Sequence, residues 1–274
     1  MFDWLAYINL DGGITLFTPY ILGLSIFIGM ISGLLGIGGG FILVPFMVLL
    51  GIPMPIAVGT AYIQTAVSSL NAVVNYHRRH LIDYKMATFL TSGGIVGAAI
   101  GVCIFKLIAT YYEIDYINKI IFIILLCFII LLLMKKPPET SHNMPVKSNA
   151  LIGYFVGIGG IIGMLSGLLA IGGGILIVPF LTYFIKIDIL KAKAISQFNI
   201  LCVAIVSLIM HGFINDNINV TLGVVLTIGA TIGTFIGLRC DHIIPKATSR
   251  YIFMIIMIAT ICMLIYNLVN YASH

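Results

Sequence analysis

Two short glycine runs are the residues best suited to chemistry in this sequence. Gly36-Ile-Gly-Gly-Gly40 and Ala170-Ile-Gly-Gly-Gly174 each interrupt an apolar segment in which a helix would otherwise continue. Three consecutive glycines weaken a helix by about 1 kcal/mol each relative to alanine. Pro45 and Pro179 follow shortly after, and proline sits best in the first turn of a new helix, where no N–H is needed. The spacing predicts a helix, a glycine break, and a second short helix beginning near Phe41 and near Ile175. The first N–H groups of such a helix lack an intrahelical acceptor, and its dipole attracts negative charge. Bare glycine backbone lets a ligand approach those donors, so each break is a candidate anion site. Gly36, Gly38, Gly39 and Gly40, with Gly172, Gly173 and Gly174, are the candidate substrate-binding residues. Tight hairpin turns whose glycines serve only close packing are the competing reading.

Polar side chains recur in the apolar segments that follow each run. Gln64, Ser68, Asn71 and Asn75 share one helical face, and Thr60 extends it by a turn. The second copy carries Ser196, Gln197 and Asn199, then Ser207 and His211. Polar groups in a bilayer are costly unless partnered, so these stripes must face protein or a water-filled path. Gln64, Ser68, Asn71, Gln197 and Asn199 join the glycines as candidate substrate contacts, with interhelical hydrogen bonding as the alternative. His211 is a candidate for proton coupling because imidazole titrates near neutrality. His77 occupies the corresponding place in the first copy but leads into His-Arg-Arg-His80, a solvated loop end. No Asp, Glu, Lys or Arg falls within the core of an expected span. Coupled transport would therefore need the substrate, a histidine or backbone carbonyls to carry the coupling ion.

The elements that hold these residues follow from composition. Hydrophobic residues make up 61% of 274 and charged residues 8%, with a mean hydropathy of +1.16. A soluble domain carries roughly 25% charged residues, so a soluble globular fold is excluded. Uncharged stretches run from Gly12 to His77, Ser148 to Ile185, Ala194 to Asn215, Asn217 to Leu238 and Tyr251 to His274. A spanning helix needs about 20 apolar residues. Spanning backbone must satisfy its own polar groups, and these runs are continuous rather than alternating, so they are helices and not barrel strands. Single spans are expected near 56–76, 86–106, 117–134, 194–212, 219–238 and 250–270. The start of the chain lacks the positive region of a cleaved signal peptide, with only Asp3 and Asp11 before the first span, and is expected to be unprocessed. The five cysteines (Cys103, Cys127, Cys202, Cys240, Cys262) show no CxxC spacing and read as small packing residues. No cofactor, metal or nucleic-acid partner is expected; the net charge of +5 sorts by side of the membrane instead.

The chain also repeats itself. Ser32 to Phe46 returns as Ser166 to Phe180, and Gly93, Gly97 and Gly101 return as Gly229, Gly233 and Gly237. These glycines, like Ser25-Gly29-Gly33 and Gly159-Gly163-Gly167, have the spacing of close helix packing. The expected division is a first membrane repeat over 1–134, a polar linker over 135–148 and a second repeat over 149–274. If each glycine segment crosses and returns, Lys106 and Lys119 face outward and the other twelve of the 14 basic residues face the cytoplasm, as the positive-inside rule requires. The halves are then inverted repeats, an all-α membrane fold of about eight to ten transmembrane segments, and the inversion allows the two new helix N-termini to point at a shared central cavity.

The doubled G-x-x-G/A-I-G-G-G-x-x-x-V-P pattern, one copy at the start of each half, resembles the TauE/SafE family of sulfite exporters. The resemblance covers essentially the whole chain. It implies an inner-membrane transporter of a small sulfur-containing anion, sulfite or an organosulfonate, often exporting, and no enzyme. Ala170 departs from the pattern where the first copy has Gly36, which implies halves that are not functionally identical. The expectation is a secondary transporter or facilitator that rocks one repeat against the other in the bilayer. A passive anion channel and a membrane scaffold without a substrate remain as alternatives. A membrane enzyme finds no motif here: there is no HExxH, GxSxG or paired intramembrane carboxylate.

Overall fold

The computed structural model describes residues 18–111, 114–134, 149–215, 217–241 and 246–272. The linker at 135–148 and the first 17 residues, with Asp3 and Asp11, lie outside the described residues. The described chain is all helical: α1 (Thr18–Leu35), α2 (Gly40–Leu49), α3 (Met54–Arg78), α4 (Tyr84–Tyr111), α5 (Ile114–Met134), α6 (Asn149–Leu169), α7 (Gly174–Pro179), α8 (Ile189–Met210), α9 (Val220–Cys240) and α10 (Lys246–Ala272). Wider π-helical turns extend α7 through Phe180–Phe184 and α8 through His211–Asn215. Every span expected from hydropathy matches one of these helices, with 194–212 running into the π-helical turn after α8 and 219–238 starting at the N-cap residue Asn219.

Among the described residues, five helices are long and apolar enough to cross a membrane, over Tyr84–Ile108, Ile152–Leu169, Ile189–Asn215, Val220–Cys240 and Thr248–Val269. At 25 residues α3 is as long, but its polar stripe keeps it out of that group. The stripe is hidden from lipid because Ala57, Ala61, Tyr62, Gln64 and Ser68 are fully buried, while Leu70 and Val74 on the same helix are exposed. Large apolar side chains such as Phe128, Ile161, Ile232 and Ile255 point outward from the surrounding helices, as lipid contact requires. Cys103, Cys127 and Cys262 are exposed too, so these three do not fill the interior as expected.

Both glycine segments break as anticipated, and each new helix starts one residue earlier, at Gly40 and at Gly174. Gly38 and Gly172 take φ +75° and +74°, a left-handed backbone that only glycine adopts without a Cβ penalty. Ala170 carries that penalty, at φ +53°.

Contact registers define how the helices run. Gly39 lies beside Gln64 and Gly40 beside Thr65, halfway along α3, while the other end of α2 connects directly into α3. So α2 returns only halfway across. In the second half, Gly173 lies near Asn199 and Gly174 against Ile200, so α7 makes the same half-return beside α8. Helices α3 and α8 run in opposite directions: Tyr62 stacks on His211, whereas Tyr84, just past the end of α3, meets Phe198.

The small-residue series pair across the two sequence halves. On α1 and α9, Gly29 sits on Ala230 and Gly33 on Thr234, while Gly233 sits on Ile26 and Gly237 on Met30. On α4 and α6, Gly93 sits on Val156, Gly97 on Gly160 and Gly101 on Met164. In each pair the residue numbers rise together, so the partners are parallel. An added Cβ at these glycines would collide with the opposing backbone, which is why small residues recur every fourth position.

Candidate functional site

The site is the region where the two breaks meet α3 and α8. Gly40 lies against the carbonyl of Ala170, and Gly174 against the carbonyl of Ile37, 2.6 Å from where a Cβ would sit. Thr65 and Ile200 each touch both Gly38 and Gly172. The sequence led us to expect two helix ends facing a shared cavity. In the structure the breaks press on one another instead, because glycine leaves nothing to hold the two backbones apart.

The polar side chains around this crossing are buried and largely unpartnered. Gln64 is fully buried, with its amide beside Gly39, and neither its Nε2 nor its Oε1 has a hydrogen-bond partner. Thr65 Oγ1, Ser68 Oγ, Ser69 Oγ, Gln197 Oε1 and Asn199 Oδ1 are likewise buried without partners. Asn199 stands between the breaks and α4, its Oδ1 2.7 Å from where a Cβ on Gly94 would lie and its Nδ2 3.7 Å from the same point on Gly173. Asn71, two turns beyond Gln64, is half-buried with an unpartnered Nδ2. A buried polar atom left unpaired costs about 1–3 kcal/mol, so several around one point make this region the candidate site.

Beyond the crossing, each broken helix is capped by side chains from the opposite half. At the end of α1, Ser196 Oγ donates to Gly36 O at 3.1 Å, Lys193 Nζ to Leu34 O at 2.7 Å, and Gln197 Nε2 approaches Ser32 O at 3.5 Å. At the end of α6, the Tyr62 hydroxyl donates to Ser166 O and His211 Nε2 donates to Gly167 O at 3.2 Å. These bonds bring donors to the last carbonyls of each broken helix, of which Ser32 O and Ser166 O also accept from the N–H groups of Gly36 and Ala170. His211 accepts at Nδ1 from the amides of Asn215 (3.0 Å) and Asn217 (3.3 Å) and stacks on Tyr62. Both ring nitrogens are therefore engaged, and the protonated one is Nε2. His77 is exposed at its helix end and pairs with Tyr84 at 2.5 Å, the solvated position expected for it.

Sequence reasoning missed one residue. Lys193 was counted with the cytoplasmic loop lysines, yet it is 3% exposed and ion-paired with Asp241 at 2.6 Å. Helix α8 starts at Ile189 rather than near 194, with Asp188 accepting from the N–H of Leu190 as its N-cap. That start carries Lys193 inward to lie on Gly36, its Cβ 2.6 Å from where a glycine Cβ would be. Asp188 before an apolar run is the signal that could have placed it. A separate groove, lined by Leu125, Ile129, Ile162, Leu176 and Phe180 among others, is wholly apolar and offers nothing to recognise a charge.

Comparison with known proteins accounts for most of the chain. Residues 21–264 match the family described as "Sulfite exporter TauE/SafE". Among relatives, "Probable membrane transporter protein YjnA" of Bacillus subtilis (strain 168) is 25% identical over 172 residues, 60% of this chain and 66% of that one. The chain thus aligns with just under two thirds of that relative's length. "Probable membrane transporter protein YunE" of the same organism is 25% identical over 266 residues, 89% of this chain and 96% of that one. "Sulfite exporter TauE/SafE family protein 3" of Arabidopsis thaliana is 34% identical over 77 residues, 28% of this chain and 16% of that one. No solved structure matches. The chain belongs to the TauE/SafE sulfite exporter family, and its Bacillus relatives carry the name of probable membrane transporters.

Proposed function

We propose that this protein moves a small sulfur-containing anion, sulfite or an organosulfonate, across the cytoplasmic membrane as a secondary transporter or facilitator. The observation that carries the proposal is the group of unpartnered buried polar atoms on Gln64, Thr65, Ser68, Gln197 and Asn199 around the two glycine breaks. These are neutral donors and acceptors, with the first N–H groups of α2 and α7 beside them. Such a set suits an anion that must bind and then leave. The family's name and that of its Arabidopsis member support the sulfur chemistry.

The two halves are read as inverted repeats. The parallel pairing of α1 with α9 and of α4 with α6, together with the opposed α3 and α8, supports that reading. Closure of the two breaks on each other favours a carrier that alternates over an open anion channel. The cross-half pairs change the moving parts: rocking one sequence repeat against the other would tear both glycine ladders apart. The rigid bodies are instead α1 with α9 and α4 with α6, moving about α3 and α8.

The test is flux of sulfite and of a small alkanesulfonate into proteoliposomes, comparing wild type with Gln64→Met plus Asn199→Leu. These near-isosteres remove unpartnered amides, so the variant should fold at least as stably yet lose saturable flux. Undiminished flux in the variant would remove these residues from the site. A wild type that carries neither anion would overturn the substrate.

A further inference from the structure

The buried ion pair at the end of α1 does more than satisfying a helix end requires. The other broken helix is capped by neutral groups, Tyr62 and His211. At the position of Lys193 the first half has Gly59, which packs on Asn217. Of the two broken helices, then, α1 ends on a charged cap and α6 on a neutral one. Three elements meet there: the ammonium of Lys193 on α8, the carbonyl of Leu34 on α1, and the carboxylate of Asp241 just after α9. Asp241 is itself incompletely satisfied, since its Oδ2 has no partner. Nearby, the buried hydroxyl of Tyr76 is also without a partner and lies within electrostatic reach of both Asp241 and Arg79.

Lys193 stands on the path the proposed substrate would take. It shares a face of α8 with Ser196, Gln197 and Ile200, and Ile200 touches Gly38 and Gly172. Seven residues of helix put Lys193 about 10 Å from that contact, on the side of the basic residues Arg79 and Arg239. A structural ion pair would serve as well with its charges exchanged for apolar groups, because desolvation offsets most of the attraction between two buried charges. A lysine held by a carboxylate with one free oxygen can do something an apolar pair cannot, which is to change partners.

We propose that Lys193 receives the anion as it passes between the glycine crossing and the basic end of the protein, and that Asp241 is its resident competitor. Arrival of the anion displaces the carboxylate, which releases the tie between α8 and the end of α9 and opens that end. Departure of the anion restores the pair and closes it. The assignment rests on the anion-transport reading above and names the residue that couples binding to opening.

The experiment is the concentration dependence of sulfite flux in proteoliposomes for wild type, Lys193→Met, Asp241→Asn and the double variant Lys193→Met plus Asp241→Met. Removing the competitor should lower KM several-fold in Asp241→Asn. Removing the ammonium should raise KM tenfold or more in Lys193→Met, and Lys193→Arg should recover most of the loss. The double variant guards against misfolding: with both charges gone its thermal stability should match wild type while its KM stays high. A folded double variant with wild-type KM, or single variants that shift KM in the same direction, would overturn the role of Lys193 and leave transport standing. A wild type without sulfite flux would overturn the transport reading and this coupling with it.

Discussion

The hydroxyl of Tyr62 donates to the carbonyl of Ser166, so a side chain from the first half closes the broken helix of the second. Lys193 and Ser196 return the arrangement from the second half to the first. An isolated half would keep only the backbone bonds from Gly36 to Ser32 or from Ala170 to Ser166 at its break and would lose every side-chain donor named here. The two repeats are therefore one folding unit, and the predictions below follow from that interdependence.

Tyr62→Phe keeps the ring that stacks on His211 and deletes only the donor to Ser166. Ser166 O keeps the Ala170 N–H as a donor, so the lost bond should cost about 0.5–1.5 kcal/mol. Thermal unfolding in detergent should show a lower midpoint, while sulfite flux per folded molecule changes little. An unchanged midpoint would mean the carbonyl finds another donor.

Ala170→Gly should stabilise the protein by about 1 kcal/mol, because Ala170 holds φ +53° and glycine removes the left-handed penalty. The same melting measurement checks it. If flux instead falls while stability rises, the alanine contributes to function through its strained backbone.

The packing glycines should divide sharply by position. Gly97→Ala and Gly233→Ala place a methyl group into the backbone of Gly160 and Ile26 and should abolish folded expression. Gly153→Ala and Gly157→Ala meet nothing within 4 Å and should be tolerated. Expression and gel-filtration profiles of the four variants separate packing from composition.

The identity of the rigid bodies can be tested by cross-linking in a background lacking the native cysteines. A bifunctional thiol reagent joining Thr65→Cys to Ile200→Cys fixes α3 to α8 at the crossing and should stop flux. Linking residues across the interlocked faces of α1 and α9 should leave flux intact. Loss of transport from both links would return the motion to the sequence repeats.

Sequence periodicity determined much of this protein by local means. Hydropathy, the doubled glycine runs and the small-residue spacing identified the helices, the two breaks at Gly36–Gly40 and 170–174, and the polar stripe of Gln64 and Ser68. Each depends on a residue's own neighbours along the chain, through propensity and the helical period. Tertiary structure decided which stripe meets which. The ladder of Gly93, Gly97 and Gly101 has the same spacing as that of Gly229, Gly233 and Gly237, so spacing alone cannot assign α6 to the first and α1 to the second. Only the fold pressed the breaks together where a cavity was expected, and only the fold carried Lys193 from an expected loop to a buried pair with Asp241. Partners 48 to 201 residues apart leave no trace in local pattern, because their energy arises from burial that exists only once both helices are in place.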